Sequence, residues 1–287
     1  MHFIQAKTIL SAQNGMNLYR GCTHGCIYCD SRSLCYGMEH DFADVAVKEN
    51  AVELLADALK RKRKRCMIAT GSMSDPYMPL EQELCMTRRA AELVYRGGFG
   101  FTVITKSDLV LRDLPLLTEI NRQSKCVVQM TLTNCDDRLS RILEPNVCTT
   151  TRRFEVLLAL RDAGIPTVVW MTPFLPFIND TRKNIEGLLA MCVEAKVRGI
   201  VCFGIGMTLR AGNREYYYKQ LNRHFPGMQE QYVRRFGDSY SVNSPNHVML
   251  MRLIQETCEQ HGILYDPDAI FHYLAEFEEP EMQLTLI

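Results

Sequence analysis

The sequence lacks a surplus of charge of either sign: 33 Lys and Arg face 33 Asp and Glu, for a net charge of +0. That excludes a global pull toward nucleic acid or a membrane surface and leaves only local patches. No apolar run approaches the ~18 residues that cross a bilayer. Residues 1–7 show no charged-then-apolar leader pattern, so the expected setting is cytoplasmic, with no membrane partner. No internal repeat or low-complexity segment stands out. Disulfides are not expected either, because a cytosolic chain keeps its thiols reduced. Nine of the 12 cysteines (Cys35, Cys66, Cys85, Cys126, Cys135, Cys148, Cys192, Cys202 and Cys258) are scattered without a C-x2-C pair. They offer no second cluster site and are read mostly as small buried hydrophobes. What remains is an ordinary soluble composition, 47% hydrophobic and 23% charged. The length of 287 residues suits one barrel-sized domain with an extension, or two small domains.

The other three cysteines lie together in Arg20-Gly21-Cys22-Thr23-His24-Gly25-Cys26-Ile27-Tyr28-Cys29. Three thiolates on one short loop hold three irons of a 4Fe–4S cubane and leave the fourth iron open for a ligand and for chemistry. Gly21 and Gly25 permit the tight folding such a loop needs. The C-x3-C-x2-C spacing, with aromatic Tyr28 before the third cysteine, resembles the signature of the radical S-adenosylmethionine (SAM) superfamily. The resemblance implies that SAM occupies the open iron and is split to a 5′-deoxyadenosyl radical. Cys22, Cys26 and Cys29 are then the metal ligands and the catalytic centre.

Behind this loop, helical and strand patterns alternate. Strands are predicted over 16–20, 66–70, 100–105, 126–132, 166–171 and 199–204. Helices are predicted over 50–64, 84–95, 114–124, 151–163 (closing at the C-cap Gly164) and 181–195. Alternation of this kind indicates a parallel sheet with helices outside, an α/β partial (β/α)6 TIM-type barrel over residues 1–206. Chemistry then sits at the C-terminal strand ends, where the cysteine loop also falls. Residues 207–287 read as a mostly helical C-terminal extension covering the barrel's open side.

The strand ends carry ligand-like residues. SAM wants a cation for its carboxylate, acceptors for its amino group and short polar groups for its ribose. Lys106 suits the first, Ser72 and Ser74 the second. Thr131 and Thr133, two apart, share a strand face, and Glu144 reaches toward the ribose with Arg153 as its partner. Four segments narrow the resemblance further. Ser72-Met73-Ser74-Asp75-Pro76, Thr105-Lys106-Ser107, Leu143-Glu144-Pro145 and Pro173-Phe174-Leu175-Pro176-Phe177-Ile178-Asn179-Asp180 resemble the spore photoproduct lyase-like branch over about 16–206. This resemblance implies that Lys106 holds the SAM carboxylate and that Ser74 and Asp75 touch SAM. One position departs: authentic lyases carry a hydrogen-donating cysteine where this chain has Ser72. A serine O–H bond is too strong to donate a hydrogen atom to a carbon radical, so spore photoproduct repair is not expected. Cys35, Cys135 and Cys202 are candidate replacement donors, with a buried structural role as the competing reading for each.

Three further signals have bland readings. The run Lys60-Arg61-Lys62-Arg63-Lys64-Arg65 suits a helix C-terminus ahead of a distal nucleic-acid contact. The stripe from Arg210 to Tyr218 suits helix packing ahead of phosphate or base binding. His24 is placed to hydrogen-bond a cluster sulfide. The reading is a radical SAM enzyme with a 4Fe–4S cluster and SAM as cofactors. It abstracts hydrogen from an unidentified substrate (nucleic acid, peptide or small molecule) and draws electrons from a reductant such as flavodoxin or ferredoxin. The alternatives are an iron–sulfur binding or electron-transfer protein without SAM cleavage, and a structural zinc protein.

Overall fold

The computed structural model describes residues 1–277, so the last ten residues of the predicted extension lie outside the described residues. Its centre is a six-stranded sheet in sequential order: β1 (Gly15–Met16), β2 (Met67–Thr70), β3 (Gly100–Thr105), β4 (Cys126–Thr131), β5 (Thr167–Trp170) and β6 (Gly199–Val201). Every pairing is parallel. Parallel strands covered on both faces read as unbroken apolar runs, and every residue of β4 is buried. The covering helices are α1 (Ala51–Arg61), α2 (Met86–Gly97), α3 (Leu114–Gln123), α4 (Thr150–Asp162) and α5 (Arg182–Glu194). Gly164 closes α4 at φ +73°, as the C-cap signal predicts.

Period-two alternation turns one side of each strand inward. Met67 and Ala69 of β2, Thr102 and Ile104 of β3, and Gln129 and Thr131 of β4 all face one internal cavity. Outward neighbours such as Phe101, Val103 and Val128 join the helices in the main core. Each such fully buried aliphatic or aromatic side chain contributes about 1.5–3 kcal/mol of transfer free energy.

One sequence expectation needs correction. The predicted first strand, 16–20, is two pieces. Gly15–Met16 joins the barrel, whereas Tyr19–Arg20 pairs antiparallel with Ala46–Lys48 in a separate small sheet whose other edge is His2–Ile4. The break lies at Asn17, whose carbonyl accepts from Lys48 Nζ at 2.7 Å. Alternation in a short run does not reveal a change of partner. The extension is mostly helical, as expected, and carries one short strand, Ser241–Asn243, which pairs antiparallel with Gly206–Thr208. The predicted boundary between 206 and 207 falls inside this pairing.

The rest of the extension packs tightly on the barrel. Helix His247–His261 sends Leu250, Ile254 and Cys258 into the main core and packs on α5. Leu264 exchanges backbone hydrogen bonds with the edge of β6, 2.8 Å from Ile200 N and 3.1 Å to Arg198 O. An edge covered in this way is protected from pairing with another chain. Helix Pro267–Ala275 then packs on β6, with Ile270 and Leu274 clustered with Val201.

Candidate functional site

The cysteine loop leaves the small sheet at Arg20 and runs over the C-terminal rim of the barrel. Gly21 adopts φ +94°, and a Cβ there would meet Phe42 O at 2.6 Å, so only glycine fits. Backbone bonds pin the loop at both ends: Cys22 N to Phe42 O at 2.9 Å and Ile27 N to Leu143 O at 2.9 Å. Asn146 reinforces the middle, its Nδ2 donating to Thr23 O at 2.8 Å and its backbone N to His24 O at 3.1 Å.

A buried polar chain ties the loop to the end of β4. The Tyr28 hydroxyl donates to the Glu144 carboxylate. Glu144 Oε2 lies 2.6 Å from Arg153 Nη2, with both side chains sealed from solvent. That nitrogen makes no aligned hydrogen bond, so the contact is one of charge. Arg153 then donates through Nη1 to Thr131 O at 3.1 Å and through Nε to Cys148 O at 3.0 Å. Burial favours the neutral acid of Glu144, but the Arg153 and Lys106 charges outweigh it and hold the carboxyl below its usual range.

Asp75 makes a second clip. Its Oδ1 accepts from Thr105 Oγ1 at 2.7 Å and Tyr77 N at 2.9 Å, and its Oδ2 accepts from Lys106 N at 2.7 Å. The ends of β2 and β3 are thereby locked together. His24 Nδ1 lies 3.4 Å from Asp75 Oδ2, and burial keeps the imidazole neutral by lowering its pKa. Sequence reasoning missed this pair. The Ser74 hydroxyl is also committed, donating to Tyr19 O at 2.8 Å.

The loop and the barrel interior enclose one cavity of about 980 Å³. Of the residues singled out in the sequence, Cys22, Cys26, Tyr28, Cys29, Ser72, Ser74, Asp75, Lys106 and Thr131 line it. Thr133, Glu144 and Arg153 do not. The strand stops at Thr131, so the same-face argument fails for Thr133, whose carbonyl instead receives Asn179 Nδ2 at 2.7 Å and Asn184 Nδ2 at 3.1 Å. Glu144 and Arg153 sit behind the loop, occupied with each other and with Tyr28.

The candidate replacement donors do not reach the cavity. Cys202 is buried, its thiol pushed up to about 11 by burial. Cys135 is half-buried beside Lys183 O at 4.0 Å. Cys35 is exposed rather than buried, 3.5 Å from Arg210 Nη1. Of the nine scattered cysteines four are buried (Cys126, Cys192, Cys202 and Cys258), fewer than expected.

Several lining residues carried no sequence signal. Gln129 donates to Thr102 Oγ1 at 2.8 Å and accepts from Trp170 Nε1 at 2.7 Å, a polar rung across β3, β4 and β5. Trp170 sits edge-on to Phe203 and Phe271, centroids 6.0 and 6.1 Å away. Those two rings stack at 6.2 Å and 18°, yet they remain 61% and 41% exposed. The extension adds Met207, Thr208, Arg210, Ser241 and Asn243. The basic run closes its helix, as the helix C-terminus reading expects. Helix α1 ends at Arg61, and Lys62 Nζ reaches Asn14 Oδ1 at 2.5 Å, a residue of the cavity wall. In the Arg210–Tyr218 stripe, Tyr217 is core, its hydroxyl donating to Tyr232 at 3.0 Å, whereas Arg210 lines the cavity.

The donor set suits a cubane. Burial pushes the Cys22 thiol up to about 12, against the pull of backbone N–H groups of His24 and Asp75 aimed at its sulfur. Burial likewise raises Cys26, opposed by Lys106. Such thiols become ligands when a metal displaces their protons, and the N–H groups and the lysine then face sulfur carrying negative charge.

Fold and site together define a partial parallel α/β barrel with a three-cysteine loop on its C-terminal rim. The chain belongs to the radical SAM superfamily, whose family model matches residues 16–190. Proteins of this family use a 4Fe–4S cluster and SAM. An uncharacterized protein of Mycobacterium tuberculosis is 30% identical over 223 residues, covering 76% of this chain and 65% of the relative's length. An uncharacterized protein of Methanocaldococcus jannaschii is 32% identical over 183 residues, covering 62% of this chain and 67% of the relative. In fold the chain is similar to a spore photoproduct lyase mutant solved with dinucleoside spore photoproduct. The TM-score is 0.66 at 13% identity, over 92% of this chain and 80% of that one. Among the described residues no helix is long and apolar enough to cross a membrane.

Proposed function

We propose that this protein is a radical SAM enzyme in which Cys22, Cys26 and Cys29 hold a 4Fe–4S cluster, and that it acts on a nucleic-acid base. Cluster and SAM together supply a 5′-deoxyadenosyl radical, which abstracts a hydrogen atom from substrate. This chain's residues bind and orient. Lys106, which makes no ion pair among the described residues, takes the SAM carboxylate. Burial opposes its charge, but the Cys26 sulfur, once it gives up its proton, and the Glu144 carboxylate more than offset that and raise its pKa. Ser72 and Thr131 offer hydroxyls to SAM. Ser74, Asp75, Glu144 and Arg153 act as positioning residues that hold the loop and the strand ends. Described residues of the extension, among them Met207, Arg210, Asn243 and Phe271, complete the cavity wall, and a flavodoxin- or ferredoxin-type reductant in the cytoplasm supplies the electron.

The observation that carries the chemistry is one cavity shared by the three cysteines and an ion-pair-free lysine. The test is anaerobic reconstitution with iron and sulfide, then dithionite and SAM, with 5′-deoxyadenosine assayed by mass spectrometry. The intact protein forms it and Cys26→Ala does not. A fully loaded cluster that forms none would leave an iron–sulfur binding protein.

The substrate reading rests on the exposed stacked pair Phe203 and Phe271 beside Trp170. Flat bases stack on such platforms. The solved neighbours that hold a dinucleoside photoproduct point the same way. Ser72 replaces the donor cysteine, so spore photoproduct itself is not the expected substrate. Phe203→Ala should leave SAM cleavage without substrate unchanged. It should weaken binding of a single-stranded oligonucleotide by roughly 5- to 150-fold, from about 1–3 kcal/mol of lost stacking. Fluorescence anisotropy at fixed salt checks this, and equal affinity for both proteins would refute the stacking platform.

A further inference from the structure

We propose that His2, His40 and Asp44 form a binding site for a late first-row divalent cation, of which Zn2+ is the type, on the face of the small sheet. One nitrogen of each imidazole and one carboxylate oxygen of Asp44 lie within 4.8 Å of one another. Two imidazoles and a carboxylate are the donor set of zinc and its neighbours, not of calcium or magnesium.

The orientation of His40 is the independent sign. Its Nδ1–H donates to Asp41 O at 2.9 Å. This fixes the tautomer and leaves Nε2 as the lone-pair nitrogen, and a backbone carbonyl on the far ring nitrogen is the arrangement that metal-bound histidines adopt. Nε2 is buried and meets no hydrogen-bond partner among the described residues. An unmet acceptor held away from water costs free energy, and a cation would satisfy it. The His2 and His40 rings are already edge to face, with centroids 4.8 Å apart. His2 Nδ1 lies 2.9 Å from Asp44 Oδ2, while the Met1 ammonium holds the other carboxylate oxygen at 2.9 Å. The carboxylate thus already gathers positive charge.

The position gives the site a task. The segment that carries His40 and Asp44 also carries Phe42, whose carbonyl receives Cys22 N at 2.9 Å and crowds Gly21. His2 belongs to the strand that pairs with Ala46–Lys48. A cation bridging His2 to His40 and Asp44 would fasten the edge strand to the segment behind the first cysteine of the loop. This site is independent of the cluster and of the substrate.

The experiment is equilibrium dialysis of the cluster-loaded protein against Co2+ and, separately, Zn2+, with metal counted by mass spectrometry and the cobalt spectrum recorded. The cluster keeps Cys22, Cys26 and Cys29 out of competition. The expected result is one added ion per chain, without a sulfur-to-cobalt charge-transfer band, whose affinity falls about tenfold or more in both His40→Gln and Asp44→Asn. Three results would overturn the proposal: no added ion, an added ion with the sulfur band, or binding unchanged in both variants. Basal 5′-deoxyadenosine formation by the variants reports separately on the cluster.

Discussion

Glu144→Gln should unfold this protein at a markedly lower temperature and release its cluster readily. The Arg153 guanidinium is fully buried, and its anionic partner is Glu144 at 2.6 Å. Removing one member of a buried pair leaves an uncompensated charge, at a cost of about 3–5 kcal/mol. For a chain of this size that corresponds to a fall of roughly 6–20 °C in the unfolding midpoint. Tyr28→Phe is the informative comparison. It removes only the hydroxyl bonded to Glu144, leaves Arg153 paired and should cost about 1.5–3 kcal/mol. The acid limb supplies a second readout. Because the folded carboxyl is held low, its contribution is complete above the unfolded value near pH 4.3 and is lost as pH falls through the folded value. Scanning calorimetry from pH 7 downward should show a steeper acid loss in the native protein than in Glu144→Gln. Superimposable curves with equal midpoints would contradict the role given to the pair.

Lys106→Gln should spare the cluster and lose SAM. A buried charge-assisted hydrogen bond is worth about 1.5–3 kcal/mol, which converts to a roughly 10- to 150-fold higher Kd for SAM. The cation lies on the cavity wall with the three cysteines, just beyond the end of β3, and its backbone N is fixed by Asp75 at 2.7 Å. Iron and sulfide content should match the native protein, while the response of the cluster's EPR spectrum to SAM should require far more ligand. Lys106→Arg keeps the charge and should recover part of the affinity. A Kd within twofold of native at full cluster content would remove Lys106 from the site.

The barrel was legible because its strands and helices announce themselves locally. Cys126 to Thr131 is a buried apolar run, and Gly164 stops α4 where a C-cap is required. The cysteine loop was legible because its spacing, Gly21, Gly25 and Tyr28 all lie in one short run of sequence. Roles that depend on partners far along the chain were not. Glu144 and Asp75 look like ligands in the sequence, yet their oxygens are taken by Tyr28 and Arg153, and by Thr105, Tyr77 and Lys106. Phe203 and Phe271 are 68 positions apart by their numbering and meet only because the chain returns past β6. Met16 to Arg20 misled because two sheets share five residues, and periodicity does not identify which neighbour a strand adopts.

The anchoring of the cysteine loop also bears on the order of events during maturation. Its ties come from Phe42, from Asp75 and from Leu143, Glu144 and Asn146, segments that meet only after most of the barrel has closed. Contacts of such sequence separation form late, because the entropy of closing long loops must be met first. On the proposed function, iron and sulfide would enter a vessel that is already built, unlike the ion of a zinc finger, which must arrive before there is any fold to speak of. Loss of the inorganic core to oxygen would then leave a refillable shell rather than a denatured chain.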